Sequence, residues 1–382
     1  MIIEIVERHH VSIGLIQIFR ELKVRLKRKI FYIPGFDPRS EAYYKKLLLS
    51  QFPHIKEHQL INEKSRVVFE TEDLEVDYEI LSWHKEVQAY WGKGVVTNLN
   101  NTYTLFKEYV FKGAYFRLYK NLSKKDAVQK AFSVYFFLIW LFLFSLGGSW
   151  LCSEAIDNGL SVSVFIGSTI FILLNIGVYK LFDGLNIFWV TRIMNFFVLY
   201  ANKKVPKVLE REKVFKAKII TALQSKKFDE VIVVAHSVGT ILCVDTLSDL
   251  VEKNQDERLT VVTLGHCVSA VSMVKNSEWF NDRLAVLAHR NSFWIDVTAG
   301  KDAVAFYKVN PGLVDVSKPN LTLSAGFHRI FTREFYKAVK WNFYKIHFLY
   351  LYNPKFPENS AFNYQKLLFD PQLFKQLNKA AS

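Results

Sequence analysis

The chain is poor in cysteine, proline and glycine. Its 382 residues hold 3 Cys, 9 Pro and 16 Gly. Cys152, Cys243 and Cys267 are far apart, which excludes a disulfide scaffold and gives no support to a cysteine metal site. So little Pro and Gly excludes collagen-like and low-complexity classes. The opening residues, Met-Ile-Ile-Glu-Ile-Val-Glu-Arg, lack the basic start and apolar run of a secretory signal. A Gly-rich phosphate loop and an internal repeat are both missing.

Apolar and aromatic residues are plentiful. Half of the chain is hydrophobic, with 33 Phe, 18 Tyr and 8 Trp, and the formal net charge is +14. That excludes disorder and leaves two broad classes, a basic nucleic-acid binder or a membrane protein with basic flanks. The apolar residues are pooled. Ala131–Ser153 and Asn158–Tyr179 carry no charge, and each run suffices for a bilayer span of about 20 residues. A buried core helix would be shorter and show a polar stripe. We therefore expect helices over 131–153 and 158–180.

Charge sets the expected orientation. Seven Lys/Arg lie between Lys107 and Lys130, and five between Lys180 and Lys207, whereas the short connection holds Glu154 and Asp157 and no basic residue. Basic flanks stay on the cytoplasmic side, which predicts a hairpin with both outer ends there. Gly184–Asn202 is also apolar, but Arg192 near its middle would be costly in a bilayer, so an amphipathic interfacial helix is expected. The basic stretch Arg20–Lys29 fits either an edge strand or a membrane-surface segment.

The remainder reads as α/β. Lys29–Ile33 is a short apolar run stopped by Pro34-Gly35, the pattern of a buried strand and turn. A helix from Ser40 to Ser50, strands over Ser65–Glu70 and Val76–Trp83, and a helix from Lys85 follow. Beyond the apolar runs come a helix over Val205–Gln224, a strand over Asp229–Val234, a helix over Val238–Glu252, and strands at Leu259–Leu264, Phe293–Val297 and Leu321–Leu323. Strands alternating with helices imply a mostly parallel sheet. The expected organisation is a basic segment 1–28, a first part of the α/β domain 29–106, a membrane insertion 107–204 and a second part of the α/β domain 205–382. One sheet built from both parts requires an even number of membrane crossings.

Ala235-His236-Ser237-Val238-Gly239 falls between a buried strand and a helix. A serine nucleophile needs this setting, because the sharp turn lifts its oxygen from the sheet and small flanking residues permit the turn. The first position is usually Gly, and here it is Ala235. The Val238 N–H at the helix start can supply one oxyanion donor. The competing structural reading is a serine that caps the helix.

With strand, elbow and helix in this order, the chain resembles the α/β-hydrolase superfamily over most of its non-membrane length. It is more similar still to bacterial membrane-anchored α/β hydrolases, through Pro34-Gly35-Phe36-Asp37-Pro38-Arg39 and His347-Phe348-Leu349-Tyr350-Leu351. The resemblance implies helices on both faces of the sheet and a second oxyanion donor from the Phe36 N–H. It implies the chain order Ser, acid, His, with a late-strand acid, Asp302 in preference to Asp296, and a base, His347 in preference to His328. His236 is expected to face away from the serine and bond within the scaffold. The implied activity is hydrolysis of an acyl ester or thioester, with a lipid as one possible substrate, at the cytoplasmic face of a bacterial inner membrane and without a cofactor. Two alternatives stay open: a non-catalytic membrane scaffold of hydrolase-like fold, and acyl transfer to an alcohol.

No metal site is expected. His54-Ile55-Lys56-Glu57-His58 has a zinc-peptidase spacing, but it follows Pro53 in a polar stretch that reads as a surface loop. His266-Cys267 reads as core or site lining. No nucleic-acid motif accompanies the basic residues. The surplus, Lys226-Lys227 included, is assigned to a surface facing anionic lipid.

Overall fold

A computed structural model describes residues 25–55, 64–120, 131–159, 161–253, 256–289, 293–311 and 319–381. Residues 56–58 of the zinc-like motif and 20–24 of the basic stretch lie outside them; His54 packs on Phe369, with ring centroids 4.8 Å apart.

The strands are β1 (Leu26–Ile33), β2 (Arg66–Glu70), β3 (Leu74–Ile80), β4 (Glu230–His236), β5 (Leu259–Leu264), β6 (Phe293–Thr298) and β7 (Leu321–Ser324). They form one seven-stranded sheet in the order β2-β3-β1-β4-β5-β6-β7. Only β2 runs antiparallel, against β3. The central strands bury both faces, so they read as unbroken apolar runs such as Val231–Ala235.

The helices that matter for the site are α1 (Glu41–Gln51), α2 (His84–Tyr90), α3 (Val95–Thr104), α4 (Phe132–Asn158), α5 (Val162–Gly184), α6 (Ile187–Ala201), α7 (Pro206–Gln224), α8 (Gly239–Lys253), α9 (Glu278–His289) and α10 (Phe343–Phe348). Two apolar cores flank the sheet. One joins α6, α7, α8 and α9 to one face, and the other joins α1 and the C-terminal helices to the opposite face.

From β1 the chain passes outward to β2 and β3 on one side, then returns past β1 to β4 on the other. The carboxyl ends of β1 and β4 therefore flank a topological switch point, where open α/β sheets form a crevice. Ile33 is in register with Ala235, which brings the Pro34–Arg39 loop beside Ser237.

Helices α4 and α5 are long and apolar enough to cross a membrane, and only 6% and 11% of their most apolar windows are buried in the protein. Their large side chains, Phe142, Leu143, Phe165 and Leu174 among them, are exposed, which sets them apart from core helices. They pack on each other through small residues, Gly147 against Phe171 and Gly167 against Trp150, and through a hydrogen bond of 2.9 Å from Trp140 Nε1 to Asn175 Oδ1. Because β1 and β4 are hydrogen-bonded neighbours, both ends of the hairpin return to one side of the fold.

Three expectations are corrected. The connection between the helices is shorter than 154–157 implied: α4 continues through Glu154 and Asp157, held by a helical bond of 3.0 Å from Asn158 Nδ2 to Glu154 Oε1, and ends at Gly159 with φ +64°. The segment after the hairpin is not an interfacial helix. In α6, eleven of the fifteen residues are buried, Arg192 included, because α6 packs against α3, α5 and the helix Val268–Ser272. Leu26–Lys29 forms neither an edge strand nor a membrane surface. It opens the central strand β1, where Arg28 pairs with Glu230 at 2.7 Å and Lys29 with Asp77 and Glu79 at 3.0 and 2.7 Å.

Lys226-Lys227 precede β4, at the amino edge of the sheet.

Candidate active site

Ser237 follows β4 directly, with φ +56°. A left-handed value costs a non-glycine residue about 1 kcal/mol or more. The elbow is pinned on both sides: Ser237 N–H donates to Leu264 O at 2.9 Å, and Ser237 O accepts from Thr240 Oγ1 at 2.6 Å. Gly239 is needed because a Cβ there would lie 2.5 Å from the carbonyl oxygens of Ile33 and Pro34. The Ser237 hydroxyl has one long contact, 3.9 Å to Cys267 Sγ, and accepts no N–H from α8. It therefore does not cap the helix, and the left-handed backbone is not explained by a capping bond.

Gly35 faces the serine: a Cβ at Gly35 would lie 2.8 Å from Ser237 Cβ and 3.3 Å from its Oγ. The Gly35 loop is held by Asp37, which accepts from Arg39 N at 3.0 Å and from Tyr44 OH at 2.8 Å, and pairs with the Arg39 guanidinium. Trp83 Nε1 donates to Pro34 O at 2.8 Å, and the Phe36 ring packs on Phe196 at 5.0 Å. Phe36 and Val238 are buried, and among the described residues their backbone N–H groups donate to no protein acceptor. Buried unpaired N–H groups are rare, and these two flank the serine.

Gly35→Ala should leave the fold intact but push the Phe36 loop from Ser237. We expect the rate of covalent labelling at Ser237 by an uncharged fluorophosphonate to fall about tenfold or more, as for a displaced oxyanion donor. An unchanged rate would show that this loop does not act on the serine.

Asp302 lies in the loop after β6, buried to 1% exposure. Its Oδ1 accepts from the N–H groups of Val304 and Ala305 at 3.0 and 3.3 Å. Its Oδ2 accepts from His347 Nδ1 at 2.7 Å and from Tyr350 OH at 3.0 Å. His347 sits on α10, where Asn342 caps the first turn by accepting from Lys345 N at 2.9 Å. With Nδ1 engaged, His347 Nε2 is the free nitrogen, buried and without a hydrogen-bond partner. Ser237 and His347 line one cavity of about 220 Å³, together with Gly35, Phe36, Trp189 and Arg192. This constellation can hold an imidazole in one tautomer, take a proton at Nε2 and offer two N–H groups to a developing oxyanion.

The other candidates lie elsewhere. His328 is exposed and lines a separate pocket with Lys301, Tyr307 and Tyr336. Asp296 is enclosed within β6 and accepts from Thr263 Oγ1 at 2.7 Å; burial pushes its carboxyl up to about 8. His236 donates from Nε2 to the His347 backbone carbonyl at 2.8 Å, which fixes the backbone of His347. Residues overlooked in the sequence are Tyr350, Trp189, Arg192 and Gly265, whose absent side chain makes room for Tyr350 and Asp302. Tyr350 lies one helical turn after His347, a spacing that offered a signal.

Burial pulls the His236 imidazole down to about 3, against about 6.5 in an open chain. Between these values the unfolded chain binds a proton that the folded chain refuses. This contribution to stability is full above pH about 6.5 and is lost as pH falls. At pH 4 it amounts to a loss on the order of 3 kcal/mol. In detergent, His236→Gln should lower the thermal midpoint less than wild type between pH 7 and 4. Parallel pH curves would contradict this.

No family model matches the chain, and no curated protein or solved structure matches it.

Proposed function

We propose that the protein is a membrane-anchored serine hydrolase of the α/β-hydrolase type that cleaves an acyl ester or thioester. Ser237 attacks the acyl carbonyl while His347 Nε2 takes its proton, and the Asp302 carboxylate orients and stabilises the imidazolium. The N–H groups of Phe36 and Val238 hold the oxyanion. The proton on Nε2 passes to the departing alcohol or thiol. Water, deprotonated by His347, then releases the acid and restores Ser237.

The observation that carries this reading is the bond of 2.7 Å from His347 Nδ1 to Asp302, which leaves Nε2 unpartnered on a side chain that lines the same cavity as Ser237. A scaffold protein would have no need to bury a polar pair with one nitrogen free on the wall of a cavity that a strained serine also lines. The test is Ser237-dependent labelling by a fluorophosphonate; equal labelling of wild type and Ser237→Ala would refute the assignment.

In this reading α4 and α5 cross the inner membrane as a hairpin, and the basic flanks keep the catalytic domain in the cytoplasm. A cysteine introduced as Ser161→Cys, with Cys152→Ser, should react with an impermeant maleimide from the periplasmic face of intact spheroplasts. Protection there, with reaction only in inverted vesicles, would reverse the orientation.

A further inference from the structure

Three cationic side chains are buried among the described residues, Arg28, Lys29 and Arg192. The first two are matched. Arg28 bonds Glu230 and the carbonyl oxygens of Leu367 and Asp370, and Lys29 bonds Asp77 and Glu79. Arg192, at 8% exposure, forms no ion pair among the described residues. Its guanidinium makes one long hydrogen bond, 3.3 Å from Nη2 to Asn98 Oδ1, and stacks 5.6 Å from the Trp91 ring centroid. Its Nε is buried without an acceptor.

A buried charge without a partner is costly, and such groups are ordinarily paired. Arg192 lies in the wall of the Ser237 cavity, one helical turn after Trp189, which lines the same cavity. The other cation lining it, Arg39, is occupied by Asp37 and Tyr344. Asp183, at the rim, is exposed and acts on Arg192 only through space. The free donors of Arg192 therefore have no acceptor of matching charge among the described residues.

We infer that Arg192 is an anion subsite of the catalytic cavity, and that the substrate is an acyl ester or thioester carrying a carboxylate or phosphate close to the scissile bond. This rests on the serine-hydrolase reading. The guanidinium fork suits both anions. The position of the rim bears on delivery: Asp183 and Asn186 stand at the foot of α5, where an anionic lipid head would lie if α5 spans the membrane. A soluble anionic ester would meet the same arginine.

The test uses the full-length protein in detergent and two fluorophosphonates of equal short chain length, one uncharged and one ending in a carboxylate. Wild type should label faster with the anionic probe. Arg192→Gln should lower the anionic-to-uncharged rate ratio about 10- to 100-fold, the worth of a hydrogen bond to a charged group, and Arg192→Lys should keep part of it. In wild type the ratio should also fall as salt rises, a check that needs no variant. A wild-type ratio near one, or a ratio that Arg192→Gln leaves in place, overturns the subsite while leaving the hydrolase reading intact. Absence of Ser237-dependent labelling by either probe removes the hydrolase reading, and the subsite with it. Protection of Ser237 by phosphatidylglycerol vesicles but not by inorganic phosphate assigns the anion to a lipid. Protection by inorganic phosphate at equal concentration assigns it to a soluble ester.

Discussion

Ser237→Ala is expected to abolish fluorophosphonate labelling and to lower ester hydrolysis by about a thousandfold or more, the scale on which removal of an activated nucleophile acts. Stability should barely change. The hydroxyl makes only the long contact of 3.9 Å to Cys267 and caps nothing, so its removal leaves no broken hydrogen bond, and a change within about 0.5 kcal/mol is expected. Ser237→Gly sharpens the contrast. At φ +56° glycine avoids the strain of a left-handed side-chain residue, so this variant should be as inactive as the alanine but more stable, by roughly 0.5–1 kcal/mol. A structural serine predicts the reverse, because loss of a helix cap destabilises by about 1 kcal/mol. Labelling and thermal melting of the two variants separate these roles. Retained labelling in either variant, or a marked loss of stability in both, would count against Ser237 as nucleophile.

What could be read in the sequence follows from the range of the interactions involved. The strand–serine–helix order was legible because local signals agree: β-branched residues in Val231–Val234, small residues at Ala235 and Gly239, and a helical pattern behind them. The sheet was legible for the same reason, since buried parallel strands are unbroken apolar runs with punctuated ends. The hairpin was visible in hydropathy alone, but its turn was not, because Glu154 and Asp157 read as loop residues until their helical pairing with neighbours is seen. Helix α6 was misjudged for a related reason. An apolar helix with one arginine looks alike whether it lies on a bilayer or beneath a cavity, and only packing against α3 and the 268–272 helix decides. The buried cations of β1 show the same limit, because their partners Asp77, Glu79 and Glu230 are distant in sequence. Gly265 completes the Asp302 environment through contacts that no local pattern encodes, whereas Tyr350 was foreshadowed only by its spacing from His347.

The histidine pair gives the second large effect. His347→Ala should reduce turnover by about a hundred- to ten-thousandfold, the usual worth of a general base, whereas His328→Ala should leave the rate near wild type. The asymmetry is geometric. His347 lines the same cavity as Ser237 and has its Nδ1 committed to Asp302, while exposed His328 lines another pocket. Asp302→Asn tests the same relay from its far end. An asparagine can still accept the backbone N–H groups of Val304 and Ala305 through its oxygen, but it then turns its amide toward His347 Nδ1. Two donors cannot share that contact, so the imidazole is driven to the tautomer that places a hydrogen on Nε2, where it cannot accept a proton from the serine. A loss of about a thousandfold or more is expected with the fold retained. Tyr350→Phe removes the second donor to Asp302 Oδ2 and should have a far smaller effect, because the tautomer is preserved. If His328→Ala is the inactive variant and His347→Ala remains active, the base has been assigned to the wrong histidine. If Asp302→Asn turns over at the wild-type rate, the carboxylate does not orient the base.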